Sequence, residues 1–184
     1  MVDQTTSVHA STSAAPKPDE TNARTRSSAP AVQSTALEEA LLRLFSVASA
    51  EQGRVDAATA DALAVFNAAL DDLAARLRVR HVGPAVGMAD MKAESVYRIV
   101  VDAHRLDVGE PRWAVWVCDA TEHAAMRATW PLGGVARLRM RQVIAALPDL
   151  MQGWSAAVQA ASYPVDAAAR GELARLTARC CAGT

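Results

Sequence analysis

Aromatic side chains are scarce: two Phe, two Tyr and four Trp make up 4% of the 184 residues. Hydrophobic residues still reach 51%, so alanine carries much of the apolar share. Alanine forms helices well and buries little area, which excludes a thick aromatic core and favours helices with thin apolar stripes. Cysteine is equally sparse, with Cys118, Cys180 and the adjacent Cys181. An odd count without a spaced framework argues against a disulfide scaffold and for a reducing, cytoplasmic compartment. Charge of one sign is missing too: the formal net charge is -1, so a basic surface for nucleic acid could only be a local patch. No apolar run approaches the ~18 residues that would span a bilayer, and no basic segment followed by an apolar one marks a secretory signal at the start. We therefore expect a protein without membrane attachment.

Leu, Ile, Phe, Tyr and Trp are absent altogether from residues 1–34, which contain six Ser, five Thr and three Pro. Such a segment cannot bury enough surface to offset its ordering entropy, so it reads as a disordered tail before one globular domain over 35–182. Its Ser/Thr-rich, weakly charged composition also resembles the export signals of type III-secreted bacterial proteins, which sets non-classical export beside the cytoplasmic reading.

What is present begins at Thr35, where Thr35 and Glu38 match a capping box ahead of Leu37, Leu41, Leu44 and Phe45 on one helix face. A second helix, with Asp56 as its cap, carries Leu63, Phe66, Leu70, Leu73 and Leu77 at alternating gaps of three and four, a heptad-like seam. Gly83-Pro84 is its expected end. Residues 96–101 and 113–117 are then rich in Val, Ile, Tyr and Trp, with turn residues over 107–111 between them, and 126–132 supplies a third candidate strand. Gly133-Gly134 introduces a helix whose inner face is Ala136, Met140, Val143, Leu147, Leu150 and Trp154, interrupted by Pro148. A last helix starts near Asp166, with Ala169, Leu173, Leu176 and Cys180 facing inward. The expected fold is α+β: a short antiparallel sheet of two or three strands, about 95–132, flanked by an N-terminal helical pair and C-terminal helices. Because Val96, Ile99, Val100 and Ala103 also fit a helix, an all-α bundle is the alternative.

Four kinds of chemistry bear on this pattern. Metal sites need three or four ligands at recurring spacings, whereas Asp102 with His104 and Cys118 with His123 offer only pairs, so no metal is expected. Cys118, His104 and Asp102 could in principle form a nucleophile constellation, but a cysteine ending an apolar strand reads first as a small buried hydrophobe. Gly133-Gly134 lacks the further glycines of phosphate-binding loops, so no cofactor and no small-molecule ligand are inferred. Arg127, Arg137, Arg139 and Arg141 surround Trp130 at the entry to the long helix, and could meet phosphates, which makes nucleic-acid binding the alternative function. In a strand, Trp113 and Trp116 point to opposite faces, and only one of them can lie under the helices. With the seam of Leu70, Leu73 and Leu77, this predicts surplus apolar surface for a protein partner or a second copy. The expected function is accordingly a non-enzymatic protein–protein interaction module, a regulator, adaptor or chaperone-like protein, with an enzyme of unknown type as the third reading.

Overall fold

The computed structural model describes residues 29–49, 55–86, 97–104, 110–120, 127–135 and 137–182. The chain is α+β. Two helices, α1 (Ala29–Ser49) and α2 (Ala57–Leu77), precede four strands, β1 (His81–Val86), β2 (Tyr97–His104), β3 (Arg112–Asp119) and β4 (Arg127–Pro131). A 3-10 turn over Leu132–Gly134 leads to α3 (Arg137–Ala160), and α4 (Ala167–Ala182) follows. The sheet is an antiparallel meander in the order β1-β2-β3-β4, so it has one strand more than the two or three expected.

Local chemistry explains most of the boundaries. Asp56 accepts hydrogen bonds from the Thr59 amide and hydroxyl, both at 2.8 Å, and so caps α2 as expected. Asp166 does the same for α4, accepting from the Ala168 and Ala169 amides at 2.9 and 3.1 Å. The start of α1 differs from expectation. The helix begins at Ala29, six residues before Thr35, because Pro30 in its first turn needs no intrahelical amide partner and alanine-rich sequence follows. Thr35 therefore lies inside the helix, and the Glu38 carboxylate bonds Arg179 of α4 at 2.7 Å instead of a capping amide. The expected tail over 1–34 otherwise lies outside the described residues.

The end of α2 is also earlier than Gly83-Pro84. Arg78 takes a left-handed conformation (φ 52°) and its amide donates to the Ala74 carbonyl, which stops the helix at Leu77. Gly83 and Pro84 then fall within β1, at a register shift between Val82 and Ala85. β1 is an edge strand, where a proline without an amide hydrogen is tolerated. Gly83 is needed for close approach: a Cβ there would stand 2.7 Å from Leu150 Cδ1 and 2.8 Å from the Ile99 carbonyl oxygen. Downstream, α3 runs through Pro148 as one helix and does not divide into two.

One main core joins all four helices to a single face of the sheet. Leu44, Leu63, Phe66, Ile99, Val115, Val143, Leu150 and Trp154 are fully buried in it. Trp154 also donates to the Val79 carbonyl at 3.1 Å, so its indole nitrogen is satisfied in the interior. The expected inward residues of α4 (Ala169, Leu173, Leu176 and Cys180) are buried as well. Leu70, Leu73 and Leu77 belong to this same core, at 0%, 1% and 1% exposure. Their seam packs against the sheet and the neighbouring helices, each leucine contributing about 1.5–3 kcal/mol by burial. The expectation that they line a partner surface is corrected: none of the three reaches the surface.

Candidate functional site

The strand alternation places Trp113 and Trp116 on opposite faces of the sheet, as expected. Trp116 joins Val100, Ala114 and Cys118 in a second, smaller cluster on the face turned away from α2 and α3, and is only 2% exposed. Its indole nitrogen donates to the Asp102 carbonyl at 3.3 Å, and the His104 ring meets it edge-on with centroids 5.7 Å apart. Cys118 Sγ and His104 Nε2 lie 3.7 Å apart. In the β2–β3 ladder His104 pairs with Arg112 and Cys118 with Arg98, six rungs away, which on a flat sheet is about 20 Å. The contact therefore requires the β2–β3 ribbon to coil back over this face, which brings His104 over Trp116.

The Cys118–His104 pair has the residue types of an activated nucleophile but not its electrostatics. Burial pushes the Cys118 thiol up to about 12, with the Asp102 carboxylate adding to the rise. Burial also holds His104 below its ordinary value, against the opposing pull of Asp102. At neutral pH both groups are uncharged, whereas the thiolate is the nucleophilic form. Asp102 does not orient the imidazole: its carboxylate binds Arg80 at 2.8 Å and its own neighbouring Ala103 amide at 2.8 Å. Among the described residues no three His, Cys, Asp or Glu side chains gather in a metal-holding group; His123 lies outside them.

Trp113 is half-buried at the opening of β3 and lines an open groove of about 580 Å³ with Ala68, Asp71, Arg78 and Arg112. β4 pairs with β3 only from Trp116 onward, so the backbone of the first half of β3 needs other partners. Asp71 of α2 supplies one, accepting from the Val115 amide at 2.9 Å. Burial raises the Asp71 pKa, and the Val115 amide, the nearby Arg112 guanidinium and Asn67 counter that rise. This carboxylate fastens a helix to a strand edge.

Of the four arginines expected to meet nucleic acid, the side chains of Arg139 and Arg141 are described. Arg139 is committed to the interior side of the sheet, its guanidinium 4.7 Å from the Tyr97 ring and 4.8 Å from the Trp130 ring, which themselves stand 5.3 Å apart. Arg141 is half-buried on α3, and the side chains of Arg127 and Arg137 lie outside the described residues.

The feature that the seam reading missed is a groove of about 720 Å³ between α1, α2 and α4. Leu37, Val65, Ala68, Ala69 and Leu176 give it apolar walls, and Glu38, Asp72, Glu172, Arg175 and Arg179 stand around them. Val65 is 41% exposed, one of the few large hydrophobic side chains left open. A signal existed in the sequence: Val65, Ala68 and Ala69 follow an i, i+3, i+4 spacing on a stripe beside the leucine seam. The leucines hid it, because two small alanines weigh little in any hydrophobic pattern. Compared with protein-family models, with curated proteins and with solved structures, the chain matches none.

Proposed function

We propose that this protein is a non-enzymatic protein–protein interaction module, of the regulator, adaptor or chaperone-like kind, and that the α1–α2–α4 groove is its docking surface. The observation that carries this reading is the groove itself. Apolar walls inside a charged border are the usual anatomy of a surface that takes a protein segment. The protonated Cys118 thiol and the diversion of Asp102 to Arg80 support the non-enzymatic part. Three free thiols agree with a reducing, cytoplasmic setting, and no helix among the described residues is long and apolar enough to cross a membrane. Nucleic-acid binding through Arg127–Arg141 loses support from Arg139, whose charge already faces two aromatic rings.

The test compares proteins captured by the wild type with those captured by Val65→Asp and Ala68→Arg, using Arg170→Glu on the exposed side of α4 as a control. The reading expects a species bound by the wild type and the control but released by both groove variants. Equal capture by all four proteins would place the docking surface elsewhere.

A further inference from the structure

The segment from Arg78 into β1 at His81 is held at three points by α3 and the turn that follows it. Tyr163, just past α3, donates its hydroxyl to the Arg78 carbonyl at 2.9 Å. Trp154 donates its indole nitrogen to the Val79 carbonyl at 3.1 Å. At the next contact Gly153 lies directly against the His81 ring: a Cβ on that glycine would stand 2.6 Å from His81 Nε2 and 2.7 Å from Cε1. Two of the three contacts are hydrogen bonds. The third presses an imidazole onto a helix backbone, and no described residue hydrogen-bonds that ring.

We propose that the seam between β1 and the C-terminal half of α3 is an acid-released latch, with His81 as its trigger. A neutral imidazole tolerates the contact with Gly153. A protonated one carries two N–H donors, and among the described residues neither has a hydrogen-bond acceptor on the α3 side. The Nε2 side of the half-buried ring, which lies against Gly153, gains full hydration only if helix and strand part. Parting breaks the Trp154–Val79 and Tyr163–Arg78 bonds and brings the fully buried Trp154 towards water. The charges around the ring do not offset this cost. β2 presents the uncharged Val101 as the rung partner of His81. The adjoining Arg80 is bound to Asp102. From α3 the one carboxylate on that side is Asp149, a turn before Gly153 and exposed. Burial holds the His81 pKa below its ordinary value, which agrees with a proton that enters only as the seam opens.

Amide hydrogen exchange on the full chain, between pH 7.5 and 4.5 and corrected for intrinsic rates, reads the latch directly. In the wild type, protection over 150–158 falls below about pH 6.5, by at most about tenfold per pH unit for one linked proton. His81→Gln removes that fall, while His104→Gln, which alters the other half-buried histidine, leaves it in place. Flat protection in the wild type, or an undiminished fall in His81→Gln, overturns the proposal. Should His81→Gln fail to fold, the His81 Cε1 proton of the wild type is titrated by NMR. A midpoint clearly below 6.5 that coincides with the loss of α3 protection upholds the latch; an ordinary midpoint overturns it.

Discussion

At the scale of single residues the structure turns on a few polar groups that burial withdraws in part from water. Asp71 fastens α2 to the Val115 amide, so Asp71→Ala leaves a buried donor without a partner and should cost about 1–3 kcal/mol in urea unfolding. Asp71→Asn keeps an acceptor oxygen and should cost less than Asp71→Ala. The histidines set the pH dependence. His81 and His104 both have folded-state pKa values lowered by burial, so the unfolded chain binds their protons more tightly. The stability they allow is complete above the unfolded value near 6.5 and is lost as pH falls below it. Asp71 acts with the opposite sign: its raised pKa favours the protonated fold, so its contribution is largest at acid pH and is lost as pH rises. Denaturant midpoints should therefore fall between pH 7 and pH 5.5, above the ordinary carboxylate range, and the double variant His81→Gln/His104→Gln should flatten that slope. A thiol pushed up to about 12 predicts that Cys118 resists alkylation at pH 8 in the folded protein, while the half-exposed Cys181 reacts. Mass-spectrometric mapping of the alkylated sites checks this.

The secondary elements show what the sequence could convey and what it could not. β2, β3 and β4 were legible because valines, tryptophans and isoleucine stand out against alanine. β1 was not legible: Gly83-Pro84 is a stop signal by composition, and only the packing of α3 on an edge strand converts it to sheet. Leu70, Leu73 and Leu77 were read with the right period but the wrong destination, since a stripe looks the same whether it meets the molecule's own sheet or a partner. The pairing of Cys118 with His104 was raised by residue type, but its geometry was not legible. Six ladder rungs separate the two, and only coiling of the ribbon brings them together. Glycine substitutions separate close-packed elements from open ones. Gly83→Ala should destabilise by about 1–3 kcal/mol, because the Ile99 carbonyl cannot give way as a flexible side chain would. Gly171→Ala, with open space around its Cβ in α4, should stabilise by about 0.5–1 kcal/mol. Thermal unfolding of the two variants should shift in opposite directions.

For the whole molecule, the described helices spend their main stripes on one face of the sheet, and Val100, Ala114, Trp116 and Cys118 form a smaller buried cluster on the other. What remains apolar and open is therefore informative. Leu42 at 73% exposure and Val65 at 41% lie on the two N-terminal helices, and Val65 borders the groove that α1, α2 and α4 enclose. The measurement that tests this account most directly is site-specific photo-crosslinking in cells, with the reactive group placed at Val65 and, for comparison, at exposed Ala85 on the β1 edge. The account predicts a discrete crosslinked protein from position 65, lost when Ala68→Arg fills the groove, and none from position 85. A product from position 85 alone, or one from position 65 that survives Ala68→Arg, would contradict it.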